Sequence, residues 1–505
     1  DGSVQVPCLV ELTPYRKEVR AEEAVSFLPQ AGFGVIEVDA RGTGGSEGEY
    51  DIVLSLREQW DAAAVVDWAA EESGVCTDRV GMFGGSYSGI IQYLTASLPE
   101  DRAPEHLVAI APQRAYGDLY RDIVWHGGQM IGSFGMLWSG GTSAYYYQPP
   151  TNVTTEQGAR AWADHVRNND PMLRYYLEHP YVEATYTADD STTYEQQLYA
   201  DASVLPRIDQ LTVPTYHLAG WFDSFTRGQL LTFQAALENE RAGHGGPHYL
   251  VAGPWNHGGT HFASYPELRE RLVEWYRYWL DDGPEPAWFG PDRVRYYQMG
   301  EGSLDDESGA WVDTTTWPPP TLAPTRLYPT AAGGLADEPA EPGEVTWAFD
   351  PTTGIAEWPS RWDDAAGVVP QSQNDQRIDG DRGGPTFMTE VLEEDLVLAG
   401  PLSLRMQAST QGLPGTEGPV TELPEVLEGF VPPYHDTDFV VKVSDVQPDG
   451  TAVLITEGYL RASHRALDED ASQLVDGEVL VPVHPHTRDS VSPPTPGEVP
   501  EYWIE

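Results

Sequence analysis

Hydrophobic and polar positions divide the chain into three regimes. From the start to about residue 113, short apolar runs alternate with amphipathic stretches. "PCLVEL", "GVIEVDA", "RVGMFGG" and "HLVAIAP" read as strands, and "EEAVSFLPQ" and "GIIQYLTASL" as helices. "REQWDAAAVVDWAAE" carries its apolar residues at helical spacing. This βαβ rhythm predicts a parallel, doubly wound sheet. Between 114 and 208 the rhythm stops, and an aromatic, helical stretch ("WHGGQM", "MLWSGG", "AYYYQPP", "DPMLRYYLEHP") reads as an inserted helical cap. "WHGG" reads there as a helix–turn element. Alternation returns over 209–285 with "TYHLAGWFD", "GQLLTFQAAL", "HYLVAGPWN" and "LRERLVEWYRYWL". From 286 to 505 proline, glycine and threonine rise. Short strands such as "DFVVKVSDV", "AVLITEGYLRAS" and "EVLVPV" predict an all-β sandwich, and the acidic, proline-rich "TQGLPGTEGPVTELPEVLEG" a surface loop.

One corner stands out in the first regime. In "MFGGSYSGIIQYL" a strand stops at Gly84 and Gly85, presents Ser86 and turns at once into a helix. That is the strand–turn–helix setting of a serine nucleophile, although the glycine of the usual G-x-S-x-G falls one place late, at Gly89. A nucleophilic serine needs a base and an orienting acid, in the order Ser, Asp, His, beyond the carboxyl ends of successive strands. Asp223 ends the strand "TYHLAGWF" and His257 follows "YLVAGPWN". The Tyr87 N–H, directly after the serine, is one oxyanion donor. The loop after the first strand, "TPYRK", offers the Tyr15 phenol as the second. Trp125 and Trp221 are candidates to line the substrate pocket.

Other chemistries fit less well. "DARGTGGSEG" lacks the Gly-Lys-Ser/Thr ending of a phosphate loop and the Rossmann spacing. His257/His261 and His244/His248 are four apart, but intervening glycines argue against a helix that would aim them at a metal. No metal or organic cofactor is expected.

Composition adds an environment. Asp and Glu number 79 against 29 Lys and Arg, a formal charge of −50. Such a surface repels itself in dilute buffer and suits molar salt, so we expect a halophile's cytoplasmic protein. It also makes nucleic acid an unsuitable partner. No apolar run reaches the roughly 18 residues of a membrane span. A homo-oligomer is left open. Cys8 and Cys76 each sit beside an apolar run and read as two buried free thiols.

Taken together, "TPYRK", "DARGTGGSEG", "GGSYSG", "GWFDSF" and "GPWNHG" resemble the CocE/NonD hydrolases, a family of esterases, α-amino-acid ester hydrolases and X-Pro dipeptidyl-peptidases. "WPPP", "AFDP", "NDQR" and "DTDFVVKVSDVQPDG" resemble that family's C-terminal jelly roll. The resemblance covers nearly the whole chain, and G-x-S-Y-x-G is the family's form of the corner. It implies an α/β-hydrolase domain with a cap, then a jelly roll, and Ser86, Asp223 and His257 as triad with Tyr15 and Tyr87 as oxyanion hole. It also implies an early hairpin before Asp1 and last strands after Glu505 that are absent here. The expected substrate is a small-molecule or short-peptide acyl compound. A free-amine substrate would need a carboxylate near the elbow. Ser88 offers none, which leaves Asp118, Asp122 or Glu183 of the cap. A catalytically inactive binding relative is the alternative from another class.

Overall fold

The computed structural model describes residues 5–19, 26–50, 53–168, 192–193, 196–258, 265–300, 308–348, 384–410, 436–475, 477–495 and 497–505. Glu183, His261, most of "AFDP", all of "NDQR" and nearly all of the acidic insert lie outside them.

The apolar runs of the first regime become β1 (Val6–Thr13), β2 (Gly34–Asp39), β3 (Cys76–Gly85) and β4 (Leu107–Gln113). Between them lie helices α1 (Leu56–Glu71) and α2 (Tyr87–Ala96). Ser55 starts α1 with a capping box: its hydroxyl accepts from the Glu58 N–H while the Glu58 carboxyl accepts from the Ser55 N–H. After β4 the chain makes a two-residue hairpin, β5 (Trp125–His126) and β6 (Gln129–Met130), then α3 (Gly132–Tyr147) and α4 (Glu156–Asn168). The sheet resumes with β7 (Thr215–Phe222), α5 (Thr226–Arg241), β8 (His248–Asn256), α6 (Pro266–Leu280), β9 (Val294–Gln298) and β10 (Ala310–Thr314).

These eight long strands form one sheet in the order β10-β9-β8-β7-β4-β3-β1-β2. All neighbours are parallel except β9 and β10. One face is covered by α1 and α2, whose Ala62, Val66, Ile91 and Leu94 pack with Val10 and Met82. The other is covered by α6 through Leu268, Leu272, Trp275 and Tyr276, which meet Leu9, Phe83 and Val251. Burial on both faces explains why the strands read as continuous apolar runs.

The C-terminal region is β-rich. Its described strands pair two by two, among them β11 (Leu404–Gln407) with β14 (Glu501–Ile504), and β12 (Asp438–Val446) with β13 (Ala452–Arg461). Phe439, Leu460, Ala462, Tyr502 and Ile504 form their shared core.

Two expectations are corrected. Cys8 and Cys76 are not free thiols: they are joined, with Cα atoms 5.4 Å apart across β1 and β3. Neighbouring parallel strands bring together residues 68 apart in sequence, a distance at which neither local pattern carries a signal. "WHGG" is a hairpin turn, not a helix–turn. Gly127 and Gly128 take φ of +57° and +81°, as tight hairpin turns require. A Cβ on Gly127 would stand 1.9 Å from the Tyr459 carbonyl, so the turn lies flat on β13, and Arg461 N–H donates to the Gly127 carbonyl at 2.8 Å.

Candidate active site

The corner at Ser86 is built by three glycines, each placed for a different neighbour. Ser86 itself has φ +57° and ψ −126°, a conformation costly for a side-chain residue and held here by its N–H bond to the Gln113 carbonyl at 2.9 Å. A Cβ on Gly84 would lie 2.5 Å from Ser88 Cβ and 2.7 Å from a Glu11 carboxyl oxygen. One on Gly85 would lie 2.6 Å from Arg114 Nη2, and one on Gly89 2.7 Å from the Gln113 carbonyl. The late glycine is therefore required by the close approach of α2 to β4. Ser88 fits because Gly84 opposite it is bare.

Asp223 and His257 follow β7 and β8, at the same sheet edge as Ser86. His257 Nε2 is 2.9 Å from Ser86 Oγ, and its Nδ1 is 2.8 Å from Asp223 Oδ2. Asp223 is fully buried, and its other oxygen accepts from the Phe225 N–H at 2.7 Å. The Phe225 ring meets the imidazole edge-on at 4.9 Å between centroids. One carboxylate oxygen thus faces the ring N–H while the other is held by backbone.

Tyr15 stands over the serine, its hydroxyl within hydrogen-bond reach of Ser86. Burial pushes its pKa up, which keeps the phenol a donor, although hydrogen bonding with Trp138 and Ser86 acts the other way. Trp138 on α3 donates its indole N–H to the Tyr15 oxygen at 3.0 Å. With one lone pair so occupied, the hydroxyl hydrogen is left to point elsewhere.

Tyr87 begins α2 directly after Ser86 and sends its phenol down to Glu58, 2.6 and 2.7 Å from the two carboxyl oxygens. The phenol also accepts from the Leu54 N–H at 3.1 Å. Its ring stands edge-on to Tyr15 at 6.1 Å and stacks with Trp138 at 6.5 Å. Glu58 is buried, and burial lifts its carboxyl pKa to about 8.

The remaining expectations divide. Trp125 donates its indole N–H to the Tyr199 hydroxyl at 2.8 Å and stacks on Tyr120. Trp221 donates to the Tyr297 carbonyl at 2.8 Å and packs on Trp317. These described contacts hold both rings in packing. Of the cap aromatics it is Trp138 that touches the Tyr15 hydroxyl. Asp118 is paired with Arg121 at 2.6 Å. Asp122 is paired with Arg227 at 2.7 Å and also accepts from the Gly117 and Asp118 N–H groups. The Asp39 loop closes on itself: Asp39 pairs with Lys17 and accepts from the Gly45 N–H, so its glycines serve that carboxylate and not a phosphate. Among the described residues, no three His, Cys, Asp or Glu side chains are grouped to hold a metal. No described helix is long and apolar enough to cross a membrane. Glu58 was missed in the sequence, although the S-x-x-E of Ser55–Glu58 was there to read as a helix start.

Residues 1–259 match the family model for the X-Pro dipeptidyl-peptidase (S15 family). The chain belongs to this S15 family. Residues 287–499 match the model for the X-Pro dipeptidyl-peptidase C-terminal non-catalytic domain. The chain is 25% identical to a cocaine esterase of Rhodococcus sp. (strain MB1 Bresler), over 95% of this chain and 82% of that protein. Among solved structures, a CocE/NonD family hydrolase from Staphylococcus aureus superposes with a TM-score of 0.71 at 19% identity, covering 99% of this chain and 77% of the other. An α-amino acid ester hydrolase gives 0.69 at 20% identity, covering 100% and 82%. The S15 chain is thus a serine hydrolase of CocE/NonD type, with an α/β-hydrolase fold followed by a β-rich domain.

Proposed function

We propose that this hydrolase cleaves acyl esters through an acyl-enzyme on Ser86. His257 takes the Ser86 proton as Oγ attacks the acyl carbon, and Asp223 stabilises the imidazolium. The carbonyl oxygen, now negative, is received by the Tyr15 hydroxyl and the Tyr87 N–H. Collapse expels the alcohol, which takes the proton from His257. Water then repeats the sequence and releases the acid. The observation that carries this reading is the continuous hydrogen-bonded line from Ser86 to His257 to Asp223, at 2.9 and 2.8 Å.

Uncharged acyl groups suit the site better than free amines. A buried ammonium needs a carboxylate partner, and of the three cap acids Asp118 and Asp122 are already engaged by Arg121 and Arg227, while Glu183 lies outside the described residues. The family match favours a second reading, X-Pro dipeptidyl-peptidase activity. The Cys8–Cys76 bridge favours an oxidising compartment over the cytoplasm expected from charge.

A fluorophosphonate probe should label wild-type protein and not Ser86→Ala. An inert wild type would leave a binding relative. In molar KCl, kcat/KM for a 4-nitrophenyl acyl ester, divided by its uncatalysed rate, should exceed the same ratio for Ala-Pro-4-nitroanilide. The reverse order would establish the peptidase reading.

A further inference from the structure

Arg114 directly follows β4, the strand between the nucleophile strand β3 and the acid strand β7. It is held in a left-handed backbone conformation, φ +46°, which long side chains rarely adopt. Its N–H donates to the Leu218 carbonyl on β7 at 2.8 Å. This turn sends the side chain over the elbow. There Gly85 leaves the room: a Cβ at that position would lie 2.6 Å from Arg114 Nη2. Passing Gly85, the guanidinium reaches the loop after β8, where Nη1 donates to the carbonyl of His257 itself.

The side chain therefore runs from Gly85, beside the nucleophile, to the backbone of the general base, while the backbone N–H of the same residue ties it to β7. Asp223 and Phe225 hold the imidazole ring, whereas Arg114 holds the backbone from which that ring hangs. We infer that Arg114 is a positioning residue for the general base, fixing the His257 backbone so that Nε2 faces Ser86. The inference rests on the triad reading above. A charged donor suits the task, because a hydrogen bond from a guanidinium is stronger than one from a neutral group. Its value lies in alignment, since a displacement of about 1 Å at a reacting pair costs on the order of 10²-fold in rate.

The test begins with fluorophosphonate labelling of wild type. No labelling would overturn the triad reading and this inference with it. With labelling established, Arg114→Met and Arg114→Ala are assayed on the 4-nitrophenyl ester per titrated active site. We expect kcat to fall by about 10- to 100-fold with KM within about threefold. Millimolar guanidinium should restore part of the activity of Arg114→Ala and none of that of Ser86→Ala. Arg114→Lys, which keeps the cation, should lie between wild type and Met. Unchanged kcat in a folded Met or Ala variant would overturn the inference. So would a rise in KM alone, which would make Arg114 a substrate contact. A loss of activity that follows a lowered melting temperature and is not rescued by guanidinium would reduce the residue to a structural prop.

Discussion

Replacing Glu58 with Gln isolates the charge of a buried carboxyl. The carboxamide can keep the capping bond from Ser55 N–H and can accept from Tyr87, so it imitates the protonated acid. Burial lifts the Glu58 pKa from an ordinary 4.5 to about 8. Between those values the folded protein holds a proton that the unfolded chain has released. Stability therefore falls as pH rises through that window. A rise of about 3.5 units, at 1.36 kcal/mol per unit, corresponds to roughly 5 kcal/mol lost between pH 4.5 and 8. Glu58→Gln removes that slope. Any offset from the amide hydrogens is the same at every pH and cancels from the comparison. The assay is urea unfolding of both proteins in 2 M KCl at several pH values from about 5 to 8.5. The stability of the Gln variant relative to wild type should climb by several kcal/mol across the range. Parallel pH profiles would refute the reasoning and show that Glu58 ionises freely where it lies.

Three further outcomes are expected. Tyr15→Phe should lower kcat by about 10²–10³-fold with little change in KM, in stopped-flow or steady-state ester hydrolysis; an unchanged kcat would leave Tyr15 as pocket lining only. The double substitution Cys8→Ala/Cys76→Ala removes a cross-link closing a 68-residue separation, worth about 4 kcal/mol by loop entropy. Its melting temperature should drop markedly, and reduction of wild type should reproduce the drop. With a net charge of −50, melting temperature should rise strongly from about 0.01 to 1 M KCl as the screening length shrinks from roughly 30 to 3 Å; a flat profile would sink the saline reading.

Much of the geometry at the candidate site was legible because its signals are local. Gly84, Gly85, Ser86 and Gly89 announce a corner by spacing alone, and Asp223 and His257 are marked by the strands they terminate. The partners of Glu58, Trp138 and Arg114 were not legible. These are Tyr87, Tyr15 and His257, which lie 29, 123 and 143 residues away. For Trp125 and Trp221 the sequence does not separate packing from binding, because an aromatic in a cap or beside an acid looks the same in either role. The Gly127–Gly128 turn could have been read as a hairpin from its two glycines. What that hairpin rests on could not.

The segment over the active site is fastened at both ends. At its root, Arg121 donates to the His484 and Pro485 carbonyls, Gln129 donates to the Phe439 carbonyl, and Arg227 links Asp122 to Glu505. At the far end of α3, Arg16 donates to Gln148 and to the Pro149 carbonyl, and Thr151 bonds Glu18. A helix pinned at both ends is a roof beam rather than a swinging door. Its Trp138 is also the partner of Tyr15, so lifting the beam would release the Tyr15 hydroxyl from that bond. The β-rich domain therefore serves the hydrolase domain at a distance: through Arg121, Gln129 and Arg227 it holds the footing of the helix that carries Trp138 to Tyr15.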